Sequence, residues 1–333
     1  MGGGGSVAPA VAVQKGTMGR ERDSRNPKEG EVTEVKVSLR GVFPPIPTPF
    51  DARGEIDCGA LARNLERWNR YDLAGYVVLG SNGEAVLLTE VEKLRILEAA
   101  RQAVPADKLI VAGTGCESTR QTIALTQRAA EAGADAALVV TPHYYDPKMA
   151  SDSLVRHYWA VADASPIPVL IYSVPKFTHV DMAAEAIGRA AEHPNIVGVK
   201  DSGGNVGKLG DLVRLAGPDF QVLAGSAAFF FAGLALGAVG GVLALANVAP
   251  QASIDIQRLF EAGRWDEAAE LQRQMLPLNA AITARFGIAG LKAALDMLGY
   301  YGGPVRPPLL DIGTDEKEVL RGLLGQAGLL EAT

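Results

Sequence analysis

The sequence has 333 residues, 48% of them hydrophobic and 21% charged, which is an ordinary composition for a globular protein. Its formal net charge is −6 at pH 7 and its lysines and arginines are scattered, so it lacks the basic stripe of a nucleic-acid-binding protein. The two cysteines, Cys58 and Cys116, have neither CxxC nor zinc-type spacing and predict free thiols in a reducing compartment. These features exclude nucleic acid as an expected partner and favour the cytoplasm.

Residues 1–37 are predicted to form a tail outside the fold. They begin with four consecutive glycines after Met1 and continue polar, without an apolar period that could support packing. The first twenty residues contain Lys15 and Arg20 but no acid, a composition that also occurs in mitochondrial presequences. The mitochondrial matrix is therefore the alternative location.

The uncharged run at residues 223–250 is longer than the roughly 18 apolar residues that suggest a membrane helix. Five glycines interrupt this run, and Asn247 lies near its end. Two buried strands that flank a short apolar helix explain the run better, so we expect no membrane segment.

Eight short apolar runs alternate with helical patterns along the chain. They are rich in Val, Leu and Ile without strict alternation, as in strands that are buried on both faces of a parallel sheet. Helices are predicted between them, for example at 90–104 and 118–132, the second with Ser118 as its N-cap. The predicted strands are 42–46, 76–79, 109–112, 137–140, 169–172, 196–200, 221–224 and 242–245.

This alternation predicts a (β/α)₈ TIM barrel, with the barrel strands and helices in residues 38–250. A doubly wound open sheet has the same local pattern and is the alternative architecture, but eight units without a break favour closure. Residues 251–333 are predicted to supply the last barrel helix and a C-terminal helical extension.

In such a barrel the chemistry takes place at the C-terminal ends of the strands. Lys200 follows the apolar residues 196–199, and a lysine in that setting loses hydration, which favours the neutral amine that attacks a ketone. A lysine that pairs with Asp201 or reaches out of the barrel mouth is the structural alternative. Tyr172 ends the neighbouring strand, about 4.8 Å away, so its phenol could act as the acid–base group beside Lys200.

A set of motifs in this chain resembles the dihydrodipicolinate synthase and N-acetylneuraminate lyase superfamily over about residues 41–310, most of all its 4-hydroxy-2-oxoglutarate aldolase branch. The resemblance implies a class I aldolase that forms a Schiff base with a 2-keto acid and needs neither a cofactor nor a metal. The motifs are Pro47-Thr48-Pro49-Phe50, Gly80-Ser81-Asn82-Gly83-Glu84, Thr141-Pro142-His143-Tyr144-Tyr145, Tyr172-Ser173-Val174-Pro175, Val199-Lys200-Asp201-Ser202 and Arg285-Phe286-Gly287-Ile288.

The resemblance also implies roles for the matching positions. Lys200 would be the Schiff-base nucleophile and Tyr172 its acid–base partner, while Ser81 would relay protons between Tyr172 and Tyr144. Tyr144 would reach the site from a neighbouring subunit of a homo-oligomer, a dimer or a tetramer. The expected substrate-binding residues are Ser81 and Asn82, whose donors would hold the α-carboxylate of pyruvate or its adducts, with Thr48 and Ser202.

Two departures from the synthase pattern favour the aldolase branch. Synthases usually carry Thr-Thr in place of Ser81-Asn82 and an arginine in place of Phe177. The predicted reaction is therefore cleavage of 4-hydroxy-2-oxoglutarate into pyruvate and glyoxylate, with 4-hydroxy-tetrahydrodipicolinate synthase or another 2-keto acid aldolase or dehydratase as the alternative. Lys176, Phe177 and His179 are atypical of the aldolase branch and leave the aldehyde half of the substrate open.

Three other interpretations have less support in the sequence. A metal site would need clustered ligands, but only His143 and His179 lie near strand ends, and His157 and His193 are expected on helix surfaces. The Gly113-Thr114-Gly115 loop lacks the last glycine of a dinucleotide-binding fingerprint. An inactive scaffold protein would have lost the nucleophile or its proton relay, and both are present.

Overall fold

A computed structural model describes residues 1–2 and 37–330, so most of the predicted tail at 1–37 lies outside the described part. Eight parallel strands form one sheet, in which the first strand pairs with the eighth and each later strand pairs with the next along the chain. The strands are β1 (Gly41–Phe43), β2 (Gly75–Val78), β3 (Leu109–Gly113), β4 (Ala136–Val140), β5 (Val169–Ser173), β6 (Ile196–Asp201), β7 (Gln221–Ala224) and β8 (Gly240–Val242).

The sheet closes on itself between β1 and β2. Pro45 forms a parallel bridge with Val77, and the Ile46 N–H donates to the Val77 carbonyl at 3.0 Å. Together with the pairing of β1 and β8, this contact completes a ring of eight strands. The predicted TIM barrel is therefore confirmed, and the open sheet is excluded.

Helices follow the strands in alternation and cover the outside of the barrel. Ser118 caps the third helix, because its side chain accepts a hydrogen bond from the Gln121 N–H, as predicted. The helices up to the eighth barrel helix are α1 (Cys58–Trp68), α2 (Glu90–Ala103), α3 (Thr119–Glu131), α4 (Ser151–Ala164), α5 (Pro175–Thr178), α6 (Ala184–Ala190), α7 (Val206–Leu215), α8 (Phe230–Ala235) and α9 (Pro250–Glu261).

A helical extension follows the barrel, as expected. It consists of α10 (Trp265–Ala280), a π-helical turn (Ala281–Arg285), α11 (Gly287–Met297) and α12 (Thr314–Gln326). α9 contacts β1 and so takes the place of the eighth barrel helix. The π-helical turn continues directly from α10, and such turns are rare and occur frequently at functional sites.

The predicted strands 42–46 and 242–245 are wrong at their boundaries. β1 ends at Phe43, because Pro44 and Pro45 have no N–H group to donate to a ladder. β8 begins at Gly240, where an added Cβ atom would lie 2.1 Å from the Gly41 carbonyl oxygen. Only glycine allows this close approach, whereas propensity disfavours glycine in strands. The residues after β8 form a 3₁₀ helix (Ala244–Asn247) instead of a strand.

The hydrophobic core has an inner layer within the barrel and an outer layer between the strands and the helices. Leu39 is fully buried in the inner layer, and its N–H donates to the Gln221 side chain at 2.7 Å. This packing fixes the strands from inside and outside, so their C-terminal ends form a rigid platform. Among the helices of residues 37–330, none is long and apolar enough to cross a membrane.

His157 was expected on a helix surface, and this prediction is wrong, since only 6% of the residue is exposed on α4. Its Nδ1 lies 2.9 Å from the Thr119 hydroxyl oxygen. Burial lowers the pKa of His157 from 6.5 to about 4. The imidazole is therefore neutral in the folded protein at neutral pH.

This burial makes stability depend on pH. The unfolded chain binds a proton at His157 near pH 6.5 and the folded chain only near pH 4, so the stability from the neutral ring is lost as the pH falls through this window. We expect the wild type to lose up to about 3 kcal/mol more than a His157→Gln variant between pH 7 and pH 4. Urea unfolding at several pH values measures this difference, and equal losses would contradict it.

Candidate active site

A lysine and a tyrosine at the ends of two adjacent strands are in contact, as predicted. Tyr172 of β5 pairs in register with Lys200 of β6. The Lys200 Nζ lies 3.9 Å from the centroid of the Tyr172 ring. Both residues are buried, and only 4% of Lys200 is exposed. The amine is thus held against an aromatic face in a nearly water-free position.

Lys200 does not pair with the adjacent Asp201. Side chains alternate across a strand, so the two residues face opposite sides, and Asp201 Oδ2 lies 3.0 Å from the Nζ of Lys208 on α7. Lys208 also lies 3.4 Å from the Ser173 hydroxyl oxygen. This ion pair therefore fixes the residues that follow Tyr172 and Lys200, and the alternative in which Asp201 neutralises the lysine is wrong.

The loop after β2 brings Ser81 and Asn82 to the same end of the barrel. Leu79 turns the chain with a left-handed backbone angle, φ 62°, which is uncommon for a residue other than glycine. The Ser81 hydroxyl oxygen then lies 3.4 Å from the Tyr172 hydroxyl oxygen. Ser81 and Asn82 open a 3₁₀ turn (Ser81–Gly83), and the first N–H groups of such a turn have no partner within it. They are available to an anion.

Thr48 lies behind this loop and outside the lining of the cavity. Its hydroxyl donates to the Gly83 carbonyl at 2.7 Å, and the residue is buried. The hydroxyl therefore holds the loop that carries Ser81, and the expected contact of Thr48 with substrate stays a prediction. Ser202, the other expected binding residue outside the loop, does line the cavity.

A buried ion pair braces the same loop. Glu84 has a left-handed backbone, φ 55°, and its Oε1 lies 2.6 Å from the Nζ of Lys292 on α11. The other carboxylate oxygen accepts a hydrogen bond from the Arg306 N–H at 2.8 Å. Burial lowers the pKa of Lys292, and the neighbouring Glu84 carboxylate opposes this shift. The pair connects the helical extension directly to the loop that carries Ser81.

A cavity of about 760 Å³ lies over Lys200 at the C-terminal ends of the strands. Its barrel side includes the predicted residues Ser81, Asn82, Tyr172, Lys200 and Ser202. Its other side comes from the helical extension and includes Asn279, Thr283, Arg285 and Phe286. The extension is therefore a wall of the site and not only a support for the barrel.

Tyr144 is not brought to this cavity within one chain. Its side chain is largely exposed, at 76%, and its ring packs edge-on against Tyr145 with 5.1 Å between centroids. The Glu117 carboxylate fixes the backbone by accepting hydrogen bonds from the N–H groups of His143 and Tyr144 at 2.9 Å and 2.8 Å. The role expected for Tyr144 thus depends on a neighbouring subunit.

Lys176, Asn279 and Arg285 line the cavity but were not predicted as site residues. Asn279 and Arg285 follow the last strand and therefore escape a search confined to strand ends. Pro277 inside α10 is a signal that the helical pattern becomes irregular there, and the Arg285-Phe286-Gly287-Ile288 motif follows it. Within residues 37–330, no group of three or more His, Cys, Asp or Glu side chains is placed to hold a metal ion.

Comparison with known proteins places residues 38–327 in the dihydrodipicolinate synthetase family. The chain is 37% identical over 287 residues to the 4-hydroxy-tetrahydrodipicolinate synthase of Methanothrix thermoacetophila, with 86% of this chain and 96% of that protein covered. It is 36% identical over 296 residues to a probable mitochondrial 4-hydroxy-2-oxoglutarate aldolase of Emericella nidulans, with 87% and 96% covered.

The fold is shared with solved members of this family. The dihydrodipicolinate synthase of Acinetobacter baumannii, solved as a complex with pyruvate, superposes with a TM-score of 0.84 at 31% identity. The match covers 88% of this chain and 100% of that one. Sequence, barrel and lysine–tyrosine pair agree, so the chain belongs to the dihydrodipicolinate synthetase family and is a lyase of the Schiff-base-forming aldolase and synthase type.

Proposed function

We propose that this chain cleaves 4-hydroxy-2-oxoglutarate into pyruvate and glyoxylate. The observation that carries the proposal is the series of contacts from Lys200 to Tyr172 and from Tyr172 to Ser81 at one end of the barrel. A buried amine next to two hydroxyl groups supplies a nucleophile and a path for its protons. A protonated imine on Lys200 serves as the electron sink, so the reaction uses no cofactor.

The first step forms the imine. The neutral amine of Lys200 attacks the C2 ketone of the substrate. The carbonyl oxygen takes one proton from the amine nitrogen and one from the hydroxyl of Tyr172 and leaves as water, so a protonated imine and the Tyr172 phenolate remain. Ser81 lies within reach of Tyr172 and relays protons to and from it between turnovers. Donors of Ser81 and Asn82 hold the C1 carboxylate, which orients the ketone toward the nucleophile.

The second step breaks the carbon–carbon bond. Tyr172, or the substrate carboxylate, takes the proton of the C4 hydroxyl, and the C3–C4 bond breaks as its electron pair moves toward the imine nitrogen. Glyoxylate leaves and an enamine remains on Lys200. Protonation at C3 and addition of water to C2 then release pyruvate and restore the free amine.

Two features of the sequence support this substrate over that of the synthase. The Ser81-Asn82 pair matches the aldolase pattern, and Phe177 places an uncharged ring at the cavity. Phe177 offers no charge to the carboxylate of a second substrate in a condensation reaction. The synthase activity is the second candidate, because relatives such as the Methanothrix protein carry that name.

We further propose that the working unit is a homo-oligomer, a dimer or a tetramer, in which Tyr144 of one subunit completes the relay of its neighbour. The exposed ring of Tyr144 and its fixed backbone support this arrangement. The cytoplasm is the proposed location, since Cys58 and Cys116 are both free thiols, and the mitochondrial matrix is the alternative.

A pair of assays tests the substrate. Pyruvate release from 4-hydroxy-2-oxoglutarate is measured beside condensation of pyruvate with aspartate semialdehyde. We expect kcat/KM for cleavage to exceed that for condensation by at least about 100-fold. Condensation without cleavage would overturn the proposed substrate and favour the synthase activity.

A further inference from the structure

We propose that Arg285, Lys176 and Asn279 form a distal subsite for the half of the substrate that leaves as the aldehyde. Arg285 and Lys176 bind the terminal carboxylate of a 2-oxo diacid, and Asn279 binds its C4 hydroxyl. This inference rests on the proposed function, because it assigns partners to the second half of the same substrate.

The charge of the cavity points to a dianionic ligand. Among the residues that the structure describes, the charged lining residues are Lys176, Lys200 and Arg285, and no acidic residue lines the cavity. Lys200 is the nucleophile, so two cations remain for the rest of the ligand. A ligand with a single carboxylate, bound at the Ser81 loop, would leave the two cations Lys176 and Arg285 without an anionic partner.

Arg285 is exposed, but its environment differs from that of the other exposed arginines of the same region. Arg264, the residue before α10, and Arg273 on α10 each pair with a glutamate three residues away, at 2.6 Å. Within residues 37–330, Arg285 forms no such ion pair. Its guanidinium carbon instead lies 4.7 Å from the centroid of the Phe286 ring, which also lines the cavity. Stacking on an aromatic ring holds the guanidinium while leaving its N–H groups available.

Lys176 is tied to the π-helical turn that carries Arg285. Its Nζ donates to the Thr283 carbonyl at 3.2 Å, and Thr283 lies two residues before Arg285. The Thr283 hydroxyl in turn donates to the Asn279 carbonyl at 2.6 Å. The loop after β5 and the turn after α10 therefore bring both cations to one wall of the cavity.

Asn279 supplies a buried polar atom that lacks a partner. The residue is only 3% exposed and lines the cavity, and its Oδ1 accepts no hydrogen bond from the described part of the protein. A buried acceptor that lacks a hydrogen bond destabilises the folded protein. A ligand hydroxyl that donates to Oδ1 removes this cost, and C4 of 4-hydroxy-2-oxoglutarate carries such a hydroxyl one carbon from its terminal carboxylate.

Trapping of 2-oxo acids on Lys200 by borohydride tests the carboxylate partners without requiring turnover. The probes are 2-oxoglutarate, which has a terminal carboxylate, and 2-oxopentanoate, which ends in a methyl group. We expect Arg285→Gln to raise the concentration of 2-oxoglutarate for half-maximal trapping by about 30-fold. The value for 2-oxopentanoate should change by less than about 3-fold, and Arg285→Lys should recover part of the loss.

Matched variants separate the subsite from general damage. Arg273→Gln removes an exposed arginine from α10 and should leave both trapping values unchanged. Asn279→Leu, which is similar in size, should raise KM for 4-hydroxy-2-oxoglutarate by about 10-fold without changing the trapping of 2-oxoglutarate, which lacks the hydroxyl.

The outcomes distinguish the subsite from the proposed function. Equal shifts for both probes in Arg285→Gln, or no shift for either, would overturn the subsite while the Schiff base stands. Normal trapping of every 2-oxo acid with no aldol cleavage would overturn the proposed substrate alone. Failure of the wild-type protein to trap any 2-oxo acid would contradict both the distal subsite and the proposed function.

Discussion

Replacing Lys200 with arginine is expected to lower kcat by at least about 10⁴-fold. Arginine keeps the positive charge and a similar length, but its guanidinium remains protonated and does not form an imine with a ketone. Lys200 is buried against Tyr172, whereas the amine of Lys176, the other lysine that lines the cavity, donates to the Thr283 carbonyl and does not take its place. The loss should appear in kcat and in borohydride trapping alike.

The control for this variant is Lys317→Arg, the same exchange at an exposed position of α12. It should leave turnover and trapping unchanged. Normal turnover by Lys200→Arg would contradict the mechanism, because no imine could then be required.

Mixed oligomers test whether Tyr144 contributes to the active site of a neighbouring subunit. Lys200→Arg and Tyr144→Phe subunits, each nearly inactive alone, are unfolded together, refolded and assayed. A hybrid dimer then contains one complete site, with Lys200 from one subunit and Tyr144 from the other. Half of the randomly formed dimers are hybrids, so activity should return to about a quarter of the wild-type value. No recovery would contradict the contribution of Tyr144 from a neighbour.

Replacing Lys292 with methionine is expected to destabilise the protein by about 3–5 kcal/mol. The ammonium of Lys292 is almost completely buried, at 1% exposure, and lies 2.6 Å from the carboxylate of Glu84, which is also buried. Methionine fills a similar volume but leaves the carboxylate without its cation. The loss of stability comes mainly from the buried Glu84 carboxylate that is left without a cation, and less from the lost ion-pair contact itself.

A double variant, Glu84→Gln with Lys292→Met, removes both charges and should recover a large part of the loss. Denaturant unfolding of the wild type, the single variants and the double variant gives the coupling between the two residues. A loss below about 1 kcal/mol in the single variant would contradict this account.

The barrel could be predicted from the sequence because its strands are buried on both faces and read as apolar runs. The runs at β3 to β7 give nearly correct boundaries, since little but packing determines them. β1 and β8 depart from the prediction because prolines and a close backbone approach at Gly240 decide their limits. Neither effect is visible in a hydrophobic pattern.

The candidate site likewise contains residues whose positions could be predicted from the sequence and residues whose positions could not. Tyr172 and Lys200 lie at the C-terminal ends of β5 and β6, and Ser81 lies three residues after β2, so topology brings them together. Thr48 also follows a strand, yet its hydroxyl donates a hydrogen bond to the Gly83 carbonyl. A sequence motif cannot show which hydrogen-bond partner a side chain has in the folded protein. Arg285 belongs to one of the family motifs, but it reaches the cavity through a π-helical turn far along the chain, and the motif alone does not show this long-range contact.

The most direct test of the central claim locates the imine. Wild-type protein is incubated with pyruvate, reduced with borohydride, digested and analysed by peptide mass spectrometry. The account predicts one adduct on Lys200 that requires pyruvate, and none on the other buried lysines, Lys108, Lys208 and Lys292. An adduct on any of those lysines instead, or no adduct at all, would contradict the assignment of Lys200 as the nucleophile.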